Sequence, residues 1–261
     1  MNVNSWLKST PVDRLDAELI IAHILEKDRT FVHAHPDYEF TEVELAKIQS
    51  FADRRAQNEP LAYILGYKEF YGRKFTVTPD TLIPRPETEA LVSIAKHLNP
   101  AKILDVGTGS GCIAVTLALE LPKTEVDAAD ISEPALEIAR QNAQNLGAKV
   151  HFFVSDLLKN AEKYNLIVAN LPYVDKNWDW LSPELDYEPE SALYAEDGGL
   201  KLIKELIKQA PAHLKEGGYL LLEADLGQHE KIADFALETG NFTPITTSDQ
   251  SLALLLALRS R

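Results

Sequence analysis

The sequence is poor in cysteine and in long apolar runs. Its single cysteine, Cys112, excludes an intramolecular disulfide. The longest apolar stretches, such as residues 252–258, are far shorter than the roughly 18 residues that a membrane helix requires. Residues 1–16 lack the basic and apolar regions of a secretory signal peptide. We therefore expect a cytoplasmic protein that makes no contact with a membrane.

Basic residues are also scarce. The chain of 261 residues has 26 lysines and arginines against 40 aspartates and glutamates, which gives a formal net charge of −14. Because proteins bind nucleic acids largely by neutralising phosphates, this charge disfavours nucleic acid as a direct partner. The seven histidines show no spacing typical of metal ligands, so we expect no metal site.

The N-terminal part has a helical pattern. Apolar residues recur at helical spacing over residues 11–56, and Thr41 followed by Glu44 predicts a capping box at the start of a helix. No alternating strand pattern occurs there, which indicates a small all-helical domain, assigned to residues 1–74. Two roles stay open for it, packing and substrate recognition, and we assign it the second.

A connector with a different composition follows. Residues 69–86 contain aromatic and β-branched residues, three prolines and a glycine, which predicts a hairpin or an extended segment. Pro86 fits the first position of a following helix. We place the second domain at residues 75–261, with residues 75–86 as the connector.

Strand and helix patterns alternate along the second domain. Seven short apolar segments are predicted strands: 103–106, 126–129, 150–154, 166–169, 219–222, 242–246 and 252–258. Between them lie predicted helices at 111–121, 133–146, 200–214 and 228–238. Such alternation predicts an open α/β sheet whose strands are mostly parallel, with one of the last two strands antiparallel.

Polar or glycine residues follow four of these strands. In an open parallel sheet, ligands bind at the carboxyl ends of the strands, which here are followed by residues 107–111 (GTGSG), Asp130, Asp156 and Asn170. The glycines allow a ligand to approach the backbone closely. Asp130 can accept hydrogen bonds from ribose hydroxyls, and Asp156 from an adenine amine, with Ile131 and Leu157 as apolar walls. The alternative for each acid is a helix N-cap.

The glycine spacing separates two kinds of cofactor. The G-x-G-x-G pattern departs from the G-x-G-x-x-G of dinucleotide enzymes, so a nicotinamide cofactor is the second choice and another ligand containing adenosine the first.

The segment after the fourth strand can hold a planar amino group. In Asn170-Leu171-Pro172-Tyr173, the Asn170 side-chain oxygen and the Leu171 carbonyl can each accept one N–H, and the Tyr173 ring can pack against the plane. The alternative is a turn that ends the strand and carries a stacked tyrosine.

The whole pattern resembles one family of enzymes. Its segments include RLDAELI (14–20), LIPRPETEALV (82–92), ILDVGTGSGCIAV (103–115), the Asn-x-Pro-Tyr motif and LKEGGYLLLE (214–223). They resemble the peptide chain release factor glutamine methyltransferases, the PrmC/HemK family of class I S-adenosylmethionine-dependent methyltransferases. The resemblance implies a Rossmann-like methyltransferase sheet and transfer of a methyl group to the glutamine of the Gly-Gly-Gln motif in class-1 release factors.

The resemblance also implies a role for each candidate residue. The methionine portion of the cofactor would lie on the loop of Gly107, Thr108, Gly109, Ser110 and Gly111, and its amino group near Asp105. The ribose would lie at Asp130 and the adenine at Asp156 and Leu157. The substrate glutamine would lie at Asn170, Leu171, Pro172 and Tyr173.

One residue departs from the family pattern. Leu171 stands where the family has proline, so the accepting carbonyl remains but the fixed backbone angle is lost. This departure leaves open a module that binds the cofactor without efficient catalysis. A DNA or RNA adenine-N6 methyltransferase also stays open, because the same motif can hold the exocyclic amine of a flipped base. We expect a monomer whose protein partner is a class-1 release factor. The eight acidic residues within 175–197 are a candidate docking surface for that basic partner.

Overall fold

The computed structural model describes residues 1–179, 181–245 and 255–260. The chain divides into two compact units. One comprises Met1–Tyr67 with Ser182–Tyr187, and the other Lys68–Leu181 with Glu188–Arg261. The division falls after Tyr67, the first residue of the hairpin strand β1 (Tyr67–Phe70), which pairs with β2 (Arg73–Thr76).

The first unit is helical, as the spacing of its apolar residues predicts. It contains α1 Val3–Ser9, α2 Arg14–Ile24, α3 Arg29–Ala34, α4 Glu42–Ala56 and α5 Leu61–Leu65. The capping box of Thr41 and Glu44 at the start of α4 is confirmed. The sequence pattern missed α1, because this helix is short and lies ahead of Pro11; it is capped by Asn2 and anchored by Trp6, which is fully buried.

The second unit is built on a sheet of seven strands. After the hairpin these are β3 Lys102–Val106, β4 Glu125–Asp130, β5 His151–Val154, β6 Tyr164–Ala169, β7 Leu214–Glu223, β8 Phe242–Ile245 and β9 Leu255–Ser260. The spatial order is β5-β4-β3-β6-β7-β9-β8. Strands β3 to β7 are parallel, and β9 pairs antiparallel with both β7 and β8. The predicted seven-stranded, mostly parallel sheet is confirmed; Thr246 and residues 252–254 of the predicted last strands lie outside the described residues.

The helices of this unit are α6 Glu89–Leu98, α7 Cys112–Glu120, α8 Glu133–Leu146, α9 Glu190–Leu193, α10 Lys201–His213 and α11 His229–Glu238. Helices cover both faces of the sheet, so its central strands bury apolar side chains on both sides. Neighbouring strand residues alternate between two cores: Leu104 and Ile167 pack with α10 and α11, whereas Ile103 and Leu166 pack with α6 and α7. Pro86 begins a 3₁₀ turn, Pro86–Thr88, that leads directly into α6.

Candidate active site

The strand order brings the predicted residues to one edge of the sheet. Strands β4, β3 and β6 are neighbours, and their registers align Val106 with Ala129 and with Ala169 at the carboxyl ends. A cavity of about 600 Å³ lies there. It is lined by most of the predicted residues: Gly107, Thr108, Gly109, Ser110, Asp130, Ile131, Asp156, Leu157, Asn170, Leu171 and Pro172. Asp105, Gly111 and Tyr173 lie outside this lining.

The glycine-rich loop, Gly107–Gly111, bonds mainly to the protein itself. The N–H groups of Gly107 and Thr108 both donate to the Ala129 carbonyl, and that of Gly111 to the Thr108 carbonyl. At Gly109 the backbone φ is +55°, and a Cβ there would meet nothing within 4 Å. The loop therefore leaves open space at Gly109 and does not present a row of free donors.

Asp105 lies beneath this loop. Its Oδ2 accepts the Thr108 hydroxyl at 2.7 Å and the Ala114 N–H at 3.2 Å, while its Oδ1 has no partner among the described residues. The side chain is fully buried, and burial raises its pKa to about 7. Asp105 therefore ties the loop to the first turn of α7.

Asp130 is held with both carboxylate oxygens at the cavity. Oδ2 accepts the Gly109 N–H at 2.8 Å and Oδ1 accepts the Ser132 N–H at 2.9 Å. Each oxygen retains a further lone pair for a ligand. The N-cap of α8 is Ser132, so Asp130 is not placed here as a helix cap. Burial, the largest effect, raises its pKa despite these hydrogen bonds.

Asp156 and Leu157 form a turn after β5. The Asp156 side chain is exposed and pairs with Lys159 at 2.5 Å. Leu157 is buried and has a φ of +51°, which a leucine rarely adopts. Such strained backbone concentrates at ligand sites, and here it places an apolar side chain in the lining of the cavity together with the exposed Ile131.

The Leu171 side chain packs against the glycine-rich loop. It is 5% exposed, and a Cβ added to Gly107 would lie 3.0 Å from its Cδ2, so its side chain covers the glycine-rich loop. Two residues further, the Tyr173 carbonyl accepts a 2.8 Å bond from Gln228, whose amide also donates to Gly198 at 2.8 Å. The loop after β6 is thus held from both sides.

Tyr173 does not line the cavity, and its side chain contacts β7 instead. Its hydroxyl donates to Glu223 Oε1 at 3.3 Å, and burial together with the Glu223 charge raises its pKa. Asn170 Nδ2 donates to Thr88 Oγ1 at 3.1 Å. These contacts add Thr88 and Glu223 to the site.

Sequence reasoning missed four residues of this region. Glu223 ends β7 at the same edge of the sheet, so the criterion that found Asp130 would also have found it. Gln228 closes a capping box with Asp225, which is a readable signal. No such signal marks Thr88, or Asn142 of α8, whose Nδ2 donates to the Ser110 carbonyl at 2.9 Å, because their roles depend on tertiary packing.

An ion pair joins two wall segments of the cavity. Glu188, 5% exposed, accepts the Ile83 N–H at 2.9 Å and pairs with Arg85. This contact links the IPRP segment to the EPES segment that precedes α9. Arg85 is therefore held at the cavity by a buried partner.

The acidic stretch 175–197 is largely paired. Five of its eight acids form ion pairs: Glu184 with Arg55, Glu188 with Arg85, Glu190 with Lys176, Glu196 with Lys201 and Asp197 with Lys204. The charge it offers to a basic partner is correspondingly smaller than the sequence indicates.

A second, open cavity of about 1200 Å³ lies at the amino ends of the strands. Lys102 pairs there with Glu125 and Glu162, each at 2.7 Å, and the Tyr164 hydroxyl donates to Asp127 at 2.8 Å. These groups satisfy one another, so the cluster is structural. Over the described ranges, no group of three or more potential metal ligands occurs, and no helix is long and apolar enough to cross a membrane.

Comparison with known families gives two matches along the chain. Residues 4–66 match the family described as the PrmC N-terminal domain, and residues 86–180 match the methyltransferase small domain.

Whole-length relatives carry one name. A release factor glutamine methyltransferase of Koribacter versatilis is 43% identical over 89% of this chain and 86% of its own. Another, of Neisseria gonorrhoeae, is 40% identical over 92% and 90%. Among solved structures, a methyltransferase from Pyrococcus furiosus superposes with a TM-score of 0.54 at 18% identity, covering 80% of this chain and 98% of that one. This last likeness concerns the fold alone.

Proposed function

This chain belongs to the release factor glutamine methyltransferase family, and we propose that it methylates the side-chain amide nitrogen of a release factor glutamine. The glutamine is the one in the Gly-Gly-Gln motif of a class-1 release factor. One observation carries the proposal: the two acceptors suited to an amide, on Asn170 and Leu171, line the same cavity as the glycine-rich loop and Asp130.

We propose that the cofactor is S-adenosylmethionine, which when bound supplies an electrophilic methyl group. The residues fit such a ligand. Gly109 leaves open space beside the loop, and Asp130 has lone pairs free for two ribose hydroxyls. Ile131, 68% exposed at the cavity, and Leu157 provide apolar walls for adenine, and Asp156 an acceptor for its amine. Asp105 holds the glycine-rich loop in place by accepting the Thr108 hydroxyl.

The chain contributes orientation to the chemistry. An amide nitrogen is a weak nucleophile because its lone pair is delocalised. Asn170 Oδ1 and the Leu171 carbonyl can each accept one of its two N–H bonds, which holds the nitrogen in one direction. Alignment of this kind is worth roughly 7–11 kcal/mol in favourable cases. The proton lost from nitrogen passes to water.

The two parts of the chain have different proposed tasks. Residues 1–74 recognise the release factor, and residues 75–261 hold the cofactor and carry out the transfer. We propose that the protein acts as a cytoplasmic monomer, without direct contact with nucleic acid or a membrane.

A labelling assay tests the function. The protein is incubated with methyl-labelled S-adenosylmethionine and, separately, a class-1 release factor, the same factor with its Gly-Gly-Gln glutamine changed to alanine, and DNA or RNA. Label in the first alone is expected. Label in nucleic acid would favour the adenine methyltransferase, and label in none of them the non-catalytic module.

The variant Asn170→Ala tests whether Asn170 takes part in the methylation that this assay measures. It should lower methylation by roughly a hundredfold or more, because one of two orienting acceptors is lost. Cofactor affinity, measured by calorimetry, should stay within several-fold. Asn145→Ala, on the exposed face of α8, is the matched control. Methylation near the unmodified rate in Asn170→Ala would overturn the assignment.

A further inference from the structure

Glu223 is a buried carboxyl group with no part in the function proposed above. It is the last residue of β7, and the parallel register that pairs Ala169 with Leu222 places it beside Asn170. It is 1% exposed, and its Oε2 has no hydrogen-bond partner in the part of the chain that the structure describes. A buried carboxyl group is costly, so its neighbours are informative.

Glu223 is surrounded by groups that can donate. The Tyr173 hydroxyl donates to Oε1 at 3.3 Å. Burial, the largest effect, and the charge of Glu87 raise its pKa to about 7, while hydrogen bonds from Thr88, Tyr173 and Asn170 lower it. Because an ionised carboxylate only accepts hydrogen bonds, Glu223 favours the arrangement in which the neighbouring Thr88 hydroxyl and Asn170 amide turn their protons toward it.

The orientation of the Thr88 hydroxyl determines which atom of the Asn170 amide faces it. Its oxygen lies 3.1 Å from Asn170 Nδ2. A hydroxyl alone could donate to the amide oxygen or accept from the amide nitrogen. Once its proton is committed to Glu223, only its lone pairs remain, and these can accept from Nδ2 but cannot donate to Oδ1.

Resting on the proposed function, we propose that Glu223 is a positioning residue that orients the Asn170 side chain, both directly and through Thr88. Asn170 Nδ2 donates to Thr88, and the Thr88 hydroxyl proton and an Asn170 amide proton are directed toward Glu223. This direction leaves Oδ1 of Asn170 as the acceptor for the substrate amide. A flipped Asn170 would present Nδ2 instead, so that two donors would face each other.

The proposal implies a pH dependence. Titratable groups on the surrounding elements are Glu87 in the 3₁₀ turn, Tyr173 after β6 and Cys112 at the start of α7. Protonated Glu223 can itself donate a hydrogen bond, so it no longer fixes the orientation of the Thr88 hydroxyl. Turnover should therefore fall as the pH is lowered through the pKa of Glu223.

Thr88 offers the sharpest test. Thr88→Val is isosteric and removes the hydroxyl, and should lower kcat for the release factor roughly tenfold, the loss expected for one hydrogen bond. Thr88→Ser should restore the rate to within about threefold, because the hydroxyl returns. Thr116→Val is the control: Thr116 is buried in α7, and its hydroxyl has no partner among the described residues. Cofactor affinity should be unchanged in all three.

Glu223→Gln supplies the pH readout. Its amide can donate or accept, so the fall in kcat between pH 8 and pH 6 should flatten. A second measurement needs no turnover. Exchange of the Asn170 side-chain amide protons, followed by NMR and assigned with Asn170→Ala, should be slow in the unmodified protein and faster in Thr88→Val.

These experiments separate failure of the positioning role from failure of the proposed function. If the unmodified protein labels the release factor but Thr88→Val matches Thr88→Ser in rate and in amide exchange, and Glu223→Gln leaves the pH profile unchanged, the positioning role is wrong and the activity stands. If no substrate is labelled, the activity is wrong, and the amide exchange of Thr88→Val still decides whether Glu223 and Thr88 orient Asn170.

Discussion

Asn142 of α8 donates a 2.9 Å hydrogen bond from Nδ2 to the main-chain carbonyl of Ser110 in the glycine-rich loop. The same amide accepts the Thr76 N–H at 2.8 Å and donates to the Thr76 carbonyl at 3.0 Å. One fully buried side chain therefore joins the hairpin strand β2 to the loop proposed to hold the cofactor.

Asn142→Leu should both destabilise the protein and weaken the cofactor site. The change keeps the number and branching of the side-chain heavy atoms but removes three hydrogen bonds, and each buried group left unpaired costs about 1–3 kcal/mol. Urea unfolding should show a loss of about 2–4 kcal/mol, and calorimetry a weaker affinity for S-adenosylmethionine. Asn145→Leu, exposed on the same helix, should change neither. Full affinity in Asn142→Leu would show that the loop does not depend on this anchor.

The contrast between Asn142 and Asp130 shows what the sequence could predict. Asp130 was predictable because it follows a strand whose apolar residues identify it, and parallel strands end at one edge. The sheet and most of the cavity lining follow from the same rule. Asn142 lies in mid-helix, where nothing local marks a polar residue that is buried against a hairpin 66 residues away. Tyr173 shows the complementary limit, since its motif gave its position but not the direction of its side chain.

Asp130→Ala should lower cofactor affinity more than Asp156→Ala. Asp130 is held at the cavity by two backbone N–H groups, whereas Asp156 is exposed and paired with Lys159. Loss of a charged acceptor for two hydroxyls is worth about 1.5–3 kcal/mol, or roughly 10- to 150-fold in affinity. Calorimetric titration of both variants measures the difference. Equal effects would remove the ribose role from Asp130.

Gly199→Ala should be severely destabilising. A Cβ at Gly199 would lie 1.9 Å from the Tyr173 carbonyl oxygen and 2.6 Å from Gln228 Nε2. Gly240 is the matched control, because its φ of +74° is close to the +83° of Gly199 but nothing lies within 4 Å of its Cβ position. Gly240→Ala should cost about 1 kcal/mol from the backbone alone. Thermal unfolding of the two variants separates the clash from the backbone cost, and similar midpoints would contradict the close approach.

Stability should fall as the pH rises through the range in which Glu223 and Asp105 lose their protons. Burial raises the pKa of both carboxyl groups to about 7, well above the values of an unfolded chain. The folded state therefore holds more protons than the unfolded state from about pH 4 to pH 7. Unfolding releases these protons, so the contribution of each group is fully present below the unfolded pKa and is lost by about pH 7.

Glu223→Gln should make that slope shallower, because the amide does not titrate. A single carboxyl group shifted this far contributes up to about 3 kcal/mol across the window. Denaturant unfolding at pH 5, 6, 7 and 8 measures the slope, and Glu238→Gln, exposed at the end of α11, should leave it unchanged. Because Asp105 still titrates in Glu223→Gln, part of the slope should remain. If the stability of the unmodified protein instead rises over this range, other carboxyl groups, which stabilise the fold when ionised, contribute more to its pH dependence than Glu223 and Asp105.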